Sequence, residues 1–135
     1  MECCTHIRVR YAETDAMGIV HHAVYPVWME LGRSDYLRML GQSYAAWEAM
    51  GVFMPLGELH LRFRQPARYD EEVQVHTRLL EANRRKITFG YRILRDGIRL
   101  TEGTSVHVVT GRDGRAAPMP ESLWQLLARG LTAGA

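Results

Sequence analysis

The sequence predicts an α+β fold in which one mostly antiparallel sheet lies around a long buried helix, and three observations carry that expectation. After residue 58, runs of alternating apolar and polar residues recur with the period of two that half-buried strands require, and short turns join them. The stretch from Val24 to Leu40 has an apolar helical arc too wide for a helix lying on a surface. Between an early strand and that helix, the residues from Tyr11 to Arg33 gather a carboxylate, a glycine and two histidines into one connection.

Taken in order, Thr5 to Tyr11 alternates, with Ile7, Val9 and Tyr11 on one face and His6, Arg8 and Arg10 on the other. A loop from Glu13 to His21 follows. The helix starts between His22 and Pro26, because proline is tolerated in a first turn where its missing N–H costs nothing, and Gly41 is its natural stop. Tyr25, Met29, Tyr36 and Leu40 make one row along it, and Val24, Trp28, Leu31 and Met39 make a second, so the helix is expected to be embedded. Gly32 stands where a side chain would hold a neighbour away. At 1.5 Å per residue the helix is about 25 Å long, close to the length of a strand of about seven or eight residues, so one sheet can wrap it lengthwise. Ser43 to Met50 reads as a short second helix, capped by Ser43 and ended by Gly51.

The strands come next. Leu59, Leu61 and Phe63 alternate with His60, Arg62 and Arg64 until Pro66, and Pro66 to Asp70 makes a turn. Val73, Val75, Thr77 and Leu79 form the next inward row, and Ile87, Phe89, Tyr91 and Ile93 the one after it, across the polar connection from Glu81 to Arg85. Asp96-Gly97 is a strong hairpin turn leading to a last strand that reaches about Thr110, with Thr104, Val106 and Val108 on one face. Glu121 to Arg129 forms a terminal helix. A chain of 135 residues without repeats or linkers makes one domain. Its sheet leaves an edge and a helix flank open, which calls for self-association.

Composition narrows the function classes. With 47% hydrophobic and 24% charged residues the chain is an ordered globular protein. A net charge of +2, without basic runs interleaved with stacking aromatics, gives nucleic-acid binding no support. Cys3 and Cys4 are adjacent and cannot build a disulfide framework, so a reducing cytoplasm is the expected setting. The longest stretch free of Asp, Glu, Lys and Arg, Ala16 to Met29, has fourteen residues and is too short to cross a bilayer. The first residues lack an apolar core of signal-peptide length. Six histidines and two cysteines show no metal-binding spacing, and no metal or cofactor is expected.

The candidate chemistry sits in the first connection. Asp15 precedes His22 by seven residues, enough for the loop to fold back and bring the carboxylate near the first helical N–H groups. Those groups and the helix dipole favour developing negative charge. Carboxylates, hydroxyls and glycine also make ordinary turns and caps, and Glu30 and Arg33, at i and i+3, can pair on one helix face.

The run Tyr11-Ala-Glu-Thr-Asp15-Ala-Met-Gly18-Ile-Val-His-His22-Ala-Val-Tyr25, continued by Trp28, Glu30 and Arg33, resembles the signature of hotdog-fold acyl-CoA thioesterases of the 4-hydroxybenzoyl-CoA thioesterase type. The later Pro66-Ala-Arg-Tyr-Asp70 and the strand order also match, so the resemblance covers nearly the whole chain. It implies a sheet wrapped around the central helix, a homodimer with a homotetramer as the larger assembly, and an acyl-CoA site at the subunit interface that needs no metal. By the family pattern Asp15 is the catalytic nucleophile or general base, and the backbone N–H at His22 polarises the thioester carbonyl. The His22 side chain assists positioning or proton transfer, while His21 is structural. Gly18 lets the loop backbone approach the substrate, and Tyr11 and Tyr25 line the acyl pocket or fill core. Arg84, Arg85 and Lys86 meet CoA phosphates or remain a solvated turn. Two other classes share such a fold: acyl-thioester dehydratases or hydratases, and non-catalytic acyl-thioester binding modules. The Thr-Asp-x-x-Gly loop ahead of the helix favours hydrolysis over the first, and the presence of Asp15 argues against the second.

Overall fold

The computed structural model of the chain describes residues 1–132. Its elements are β1 (Glu2–Arg8), α1 (Val24–Leu40), α2 (Tyr44–Ala49), β2 (Leu56–Phe63), β3 (Glu72–Ala82), β4 (Lys86–Arg95), β5 (Ile98–Val108) and α3 (Glu121–Thr132). The strands form one antiparallel sheet in the order β1-β3-β4-β5-β2. α1 packs on β1 and β3, and α3 packs on β3. This is the α+β arrangement of one sheet curved around a central helix that the sequence calls for.

Local chemistry places the ends. Gly41, at φ 119°, closes α1 with its N–H bonded to the Leu37 and Arg38 carbonyls. Arg129 of α3 donates to the Leu40 carbonyl at 2.7 Å, a cation where the helix dipole is negative. Ser43 Oγ accepts the Ala46 N–H at 3.2 Å and caps α2. Asp96 and Gly97 have φ of 51° and 77°, the two positive values a type I′ hairpin turn requires. At Gly32 a Cβ would collide with Thr77 Oγ1 and press on Val75, so the missing side chain is what lets α1 settle on β3.

The inward rows of β3 and β4 are buried as expected, and so are Tyr25, Met29, Tyr36 and Leu40 on α1. Other expectations need correction. β1 starts at Glu2 and ends at Arg8, and Tyr11 leaves its face for a 3-10 turn, where it is 76% exposed. The chain is turned there by Glu13, whose carboxylate accepts the Arg10 N–H at 2.7 Å. In the second row of α1 only Trp28 is fully buried. Leu31 is 48% exposed and Met39 40%, so the helix is embedded on one side only. Phe63 is 49% exposed at the end of β2, an edge strand with no further strand beyond it among the described residues.

On β5 the row Thr104, Val106 and Val108 faces outward, and the inner face carries Leu100, Ser105 and His107. The reason lies in the register: Ile87 pairs with His107, and Phe89 with Ser105, so these polar residues share the core face of β4. They are tolerated because they bond to one another. His107 Nδ1 lies 3.1 Å from the Met54 carbonyl, and its Nε2 lies 2.8 Å from Ser105 Oγ. Ser105 Oγ is 2.6 Å from Tyr91 Oη, which accepts from Arg33 Nη1 at 3.2 Å.

Burial, reinforced by the Arg33 charge and opposed by the bond to the Met54 carbonyl, lowers the His107 pKa from 6.5 to about 4. The imidazole is therefore neutral in the folded protein at neutral pH. The unfolded chain takes up a proton below pH 6.5 that the folded chain refuses, so this contribution is complete above that pH and is lost as pH falls toward 4. Between about pH 6.5 and 5 the expected loss is about 2 kcal/mol. Urea denaturation across that window measures it, and a His107→Gln variant should show a flatter slope.

Candidate active site

The loop that follows the first turn is closed tightly on itself. Thr14 and Val20 bridge across its neck, the Asp15 N–H donates to the Ile19 carbonyl at 2.9 Å, and the Gly18 N–H donates to the Asp15 carbonyl at 2.9 Å. Gly18 takes φ 77°, which a glycine adopts without steric cost. Within this loop Asp15 is partly buried. One carboxylate oxygen accepts the Met17 N–H at 2.9 Å, and the other accepts nothing from the described residues.

Glu13 fixes the loop to the helix. Its side chain is buried at 7% exposure and accepts the Trp28 indole N–H at 2.9 Å as well as the Arg10 N–H, while its carbonyl accepts the His21 N–H at 2.9 Å. This role of Glu13 is not legible in the sequence, because no periodicity marks a contact between positions fifteen residues apart. The one available signal was a carboxylate and a tryptophan flanking the same connection.

The start of α1 is capped by His21, whose carbonyl accepts the Val24 N–H at 3.0 Å. Ala23 is the cap position and offers no side-chain bond, and its N–H is taken by His21 Nδ1 at 3.0 Å. His21 thus accepts at Nδ1, which leaves the ring proton of the neutral form on Nε2. The His22 N–H donates to no acceptor among the described residues. The two imidazoles are stacked, with centroids 4.2 Å apart.

A cavity of about 320 Å³ lies against this joint, lined by Asp15, Ile19, His22 and Tyr25 on one side and by Phe63 and Pro66 on the other. Tyr25 is core and wall together: it is 2% exposed, packs edge-on against Trp28 and Phe63, and accepts the Ala67 N–H at 3.2 Å. Burial raises its phenol pKa, so the hydroxyl stays protonated. A carboxylate oxygen free of partners, an unpaired N–H at a helix start and a mainly apolar wall can together attack a carbonyl and stabilise the charge that results.

Of Asp15, Gly18, His22 and Tyr25, the cavity is lined by Asp15, His22 and Tyr25, while Gly18 closes the turn of the same loop and is not among the lining residues. Tyr11 is not among the lining residues and packs edge-on against Tyr69. Arg84, Arg85 and Lys86 line a different, open cavity with Pro118 and Trp124. There Arg84 donates to the Met119 carbonyl at 2.8 Å, and Asn83 accepts the Arg85 and Lys86 backbone N–H groups. Glu30 and Arg33 do not pair, since Arg33 turns inward to Tyr91. The wall contributed by Phe63 and Pro66 was not foreseen, because a residue at a strand end meets the loop only once the sheet has curved. Among the described residues no cluster of His, Cys, Asp and Glu has metal-binding geometry, and no helix is long and apolar enough to cross a membrane.

The chain is similar to known proteins in sequence and in fold. Residues 9–127 match the family model described as "Thioesterase-like superfamily". A Bacillus subtilis (strain 168) protein named "Putative acyl-CoA thioesterase YneP" is 40% identical over 108 residues, which cover 79% of this chain and 78% of that protein. The crystal structure of a hypothetical protein, TT1821, from Thermus thermophilus superposes with a TM-score of 0.92 at 48% identity, covering 96% of this chain and 98% of that one. The DHNA-CoA thioesterase of Staphylococcus aureus superposes with a TM-score of 0.91 at 29% identity, covering 98% of this chain and 91% of the other. The antiparallel sheet around α1 and these likenesses together make the chain a hotdog-fold member of the thioesterase-like superfamily.

Proposed function

We propose that this protein is an acyl-CoA thioesterase, hydrolysing the thioester of an acyl-CoA to a free acid and CoA. The observation that carries the reading is that the Asp15 carboxylate and His22, just ahead of α1, line one cavity. Asp15 either attacks the carbonyl carbon, giving an anhydride that water then cleaves, or removes a proton from the attacking water. On both routes the carbonyl oxygen gains negative charge, the His22 N–H stabilises it, and the CoA sulfur leaves with its bonding electron pair and takes up a proton. The His22 side chain borders the reacting group and assists positioning or proton transfer. Gly18 and Tyr25 serve the substrate, the first by giving the loop its turn and the second as wall. The names of YneP and of the Staphylococcus aureus enzyme support an acyl-CoA substrate. The Tyr11 to Arg33 signature supports the 4-hydroxybenzoyl-CoA thioesterase type within that class.

The working unit in this reading is a homodimer, or a pair of dimers, in the cytoplasm. Its support is the uncovered flank of α1, where Val27 and Leu31 are exposed, and the β2 edge, where Leu56 and Phe63 are exposed. Cys3 and Cys4 are both free thiols, which suits a reducing compartment.

The test is release of free CoA thiol from a panel of short, long and aromatic acyl-CoA esters, with light scattering at low micromolar concentration on the same sample. Hydrolysis of at least one ester by a dimer or tetramer is expected. Binding across the panel without hydrolysis would instead identify a binding module, and hydration of an enoyl-CoA a hydratase. A stable active monomer would remove the dimeric working unit.

A further inference from the structure

A second cavity lies farther along α1, and its chemistry is set by the buried chain of hydrogen bonds already described. The direction of every bond in that chain follows from its two ends. The Met54 carbonyl can only accept, so His107 Nδ1 carries a proton and donates to it. At the other end the Arg33 guanidinium can only donate, so Tyr91 Oη accepts from it. The neutral His107 must then accept at Nε2 from Ser105, and Ser105 in turn accepts from the Tyr91 hydroxyl. The opposite sense, with Nε2 donating to Ser105, would move the single ring proton of the neutral imidazole off Nδ1 and leave two acceptors, Nδ1 and the Met54 carbonyl, facing each other. Each group is satisfied in one arrangement only, and that arrangement presents Tyr91 Oη as an acceptor to Arg33.

Arg33 is held there by a neutral partner. Among the described residues it has no carboxylate within ion-pair distance, and one of its five N–H groups is engaged by Tyr91. The guanidinium is half-buried and lines a cavity of about 260 Å³ with Glu30, Ser34, Leu37, Tyr44 and Met54. A fixed planar fork with free donors, beside the apolar Leu37 and Met54, matches a planar anion with an apolar body. Glu30, exposed in the same lining, disfavours a second negative charge.

We infer that the cavity beside Arg33 is a binding site for a single carboxylate carried on an apolar group, with Arg33 as its anchor and Tyr91 as the residue that positions the anchor. The carboxylate belongs either to a free acid or to the far end of a longer acyl group. Arg33 lies eight residues beyond Tyr25, about 12 Å along α1 at 1.5 Å per residue, so the second source requires a long chain. The free-acid case stands without the thioesterase reading, and only the acyl-group case rests on it.

The experiment has two arms, each run on the wild-type protein and on Arg33→Met, Arg33→Lys and Tyr91→Phe, with unfolding midpoints recorded for all. In the first, calorimetry measures binding of butyrate and benzoate against butyramide and benzamide. In the second, the KM for decanedioyl-CoA is compared with that for decanoyl-CoA. A site for free acids predicts that carboxylates bind and amides do not, with at least about a tenfold loss in Arg33→Met and a smaller one in Arg33→Lys and Tyr91→Phe. A site for an acyl end predicts at least about a tenfold rise in KM for decanedioyl-CoA alone in Arg33→Met, with decanoyl-CoA unaffected. Failure to cleave either ester, with carboxylate binding intact, would count against the thioesterase reading and leave the site standing. Equal binding of acids and amides together with an Arg33→Met variant that folds and changes neither arm would overturn the inference.

Discussion

Asp15→Asn is expected to lower turnover of a cleaved acyl-CoA by at least about a hundredfold, the lower range for losing a general base, while substrate binding changes far less. Asparagine nearly preserves the shape of the side chain, and its amide oxygen can keep the bond from the Met17 N–H that now reaches one carboxylate oxygen. What it lacks is the second carboxylate oxygen, which has no partner among the described residues and would, in the proposed mechanism, supply basicity and nucleophilicity. About a hundredfold corresponds to about 2.7 kcal/mol of barrier. Single-turnover and steady-state assays on matched folded protein separate this loss from weaker binding. An asparagine variant that cleaves the ester at the wild-type rate would remove Asp15 from the chemistry.

Glu13→Ala is expected to cost about 3–4 kcal/mol of stability, the largest loss from any single truncation around the loop. Two hydrogen bonds to a buried carboxylate disappear, and bonds to charged groups contribute about 1.5–3 kcal/mol each before compensation by water. The Trp28 indole N–H, on a residue only 1% exposed, is left without an acceptor, and water has little access to replace it. Glu13→Gln retains an acceptor for one of the two donors and should lose roughly half as much. Denaturant midpoints at constant m-value measure both variants. Because Glu13 sits at the base of the loop that carries Asp15, its truncation should also depress turnover in the fraction that remains folded. An alanine variant within about 0.5 kcal/mol of wild type would mean that the loop is held by its backbone bonds alone.

The fold was legible where one periodicity decided one face. Val73 to Leu79 and Ile87 to Ile93 are flanked on both sides by other strands and covered by helices, so alternation translated directly into burial. The same reasoning gave α1, its glycine stop and the Asp96-Gly97 turn, each of which depends on neighbouring residues alone. Asp15, His22 and Tyr25 were also within reach of sequence, because they lie in one connection and a short loop can bring only nearby positions to a helix start.

Tertiary structure decided what depends on pairing and on the other side of the cavity. Val106 and Val108 look more like core than Ser105 and His107, yet the β4–β5 register turns the polar row inward, where Tyr91 and Arg33 complete its bonds. Phe63 and Pro66 become a wall of the Asp15 cavity, and Glu13 becomes the tie to Trp28, only when remote segments close on one another. Glu30 and Arg33 had the spacing to pair, and the buried Tyr91 hydroxyl drew the guanidinium inward instead. Local sequence determined the elements and the loop with its carboxylate, since propensity, caps and turns act over a few residues. Which polar groups could be buried and which cavities formed was decided by contacts between distant strands, whose register no local pattern encodes.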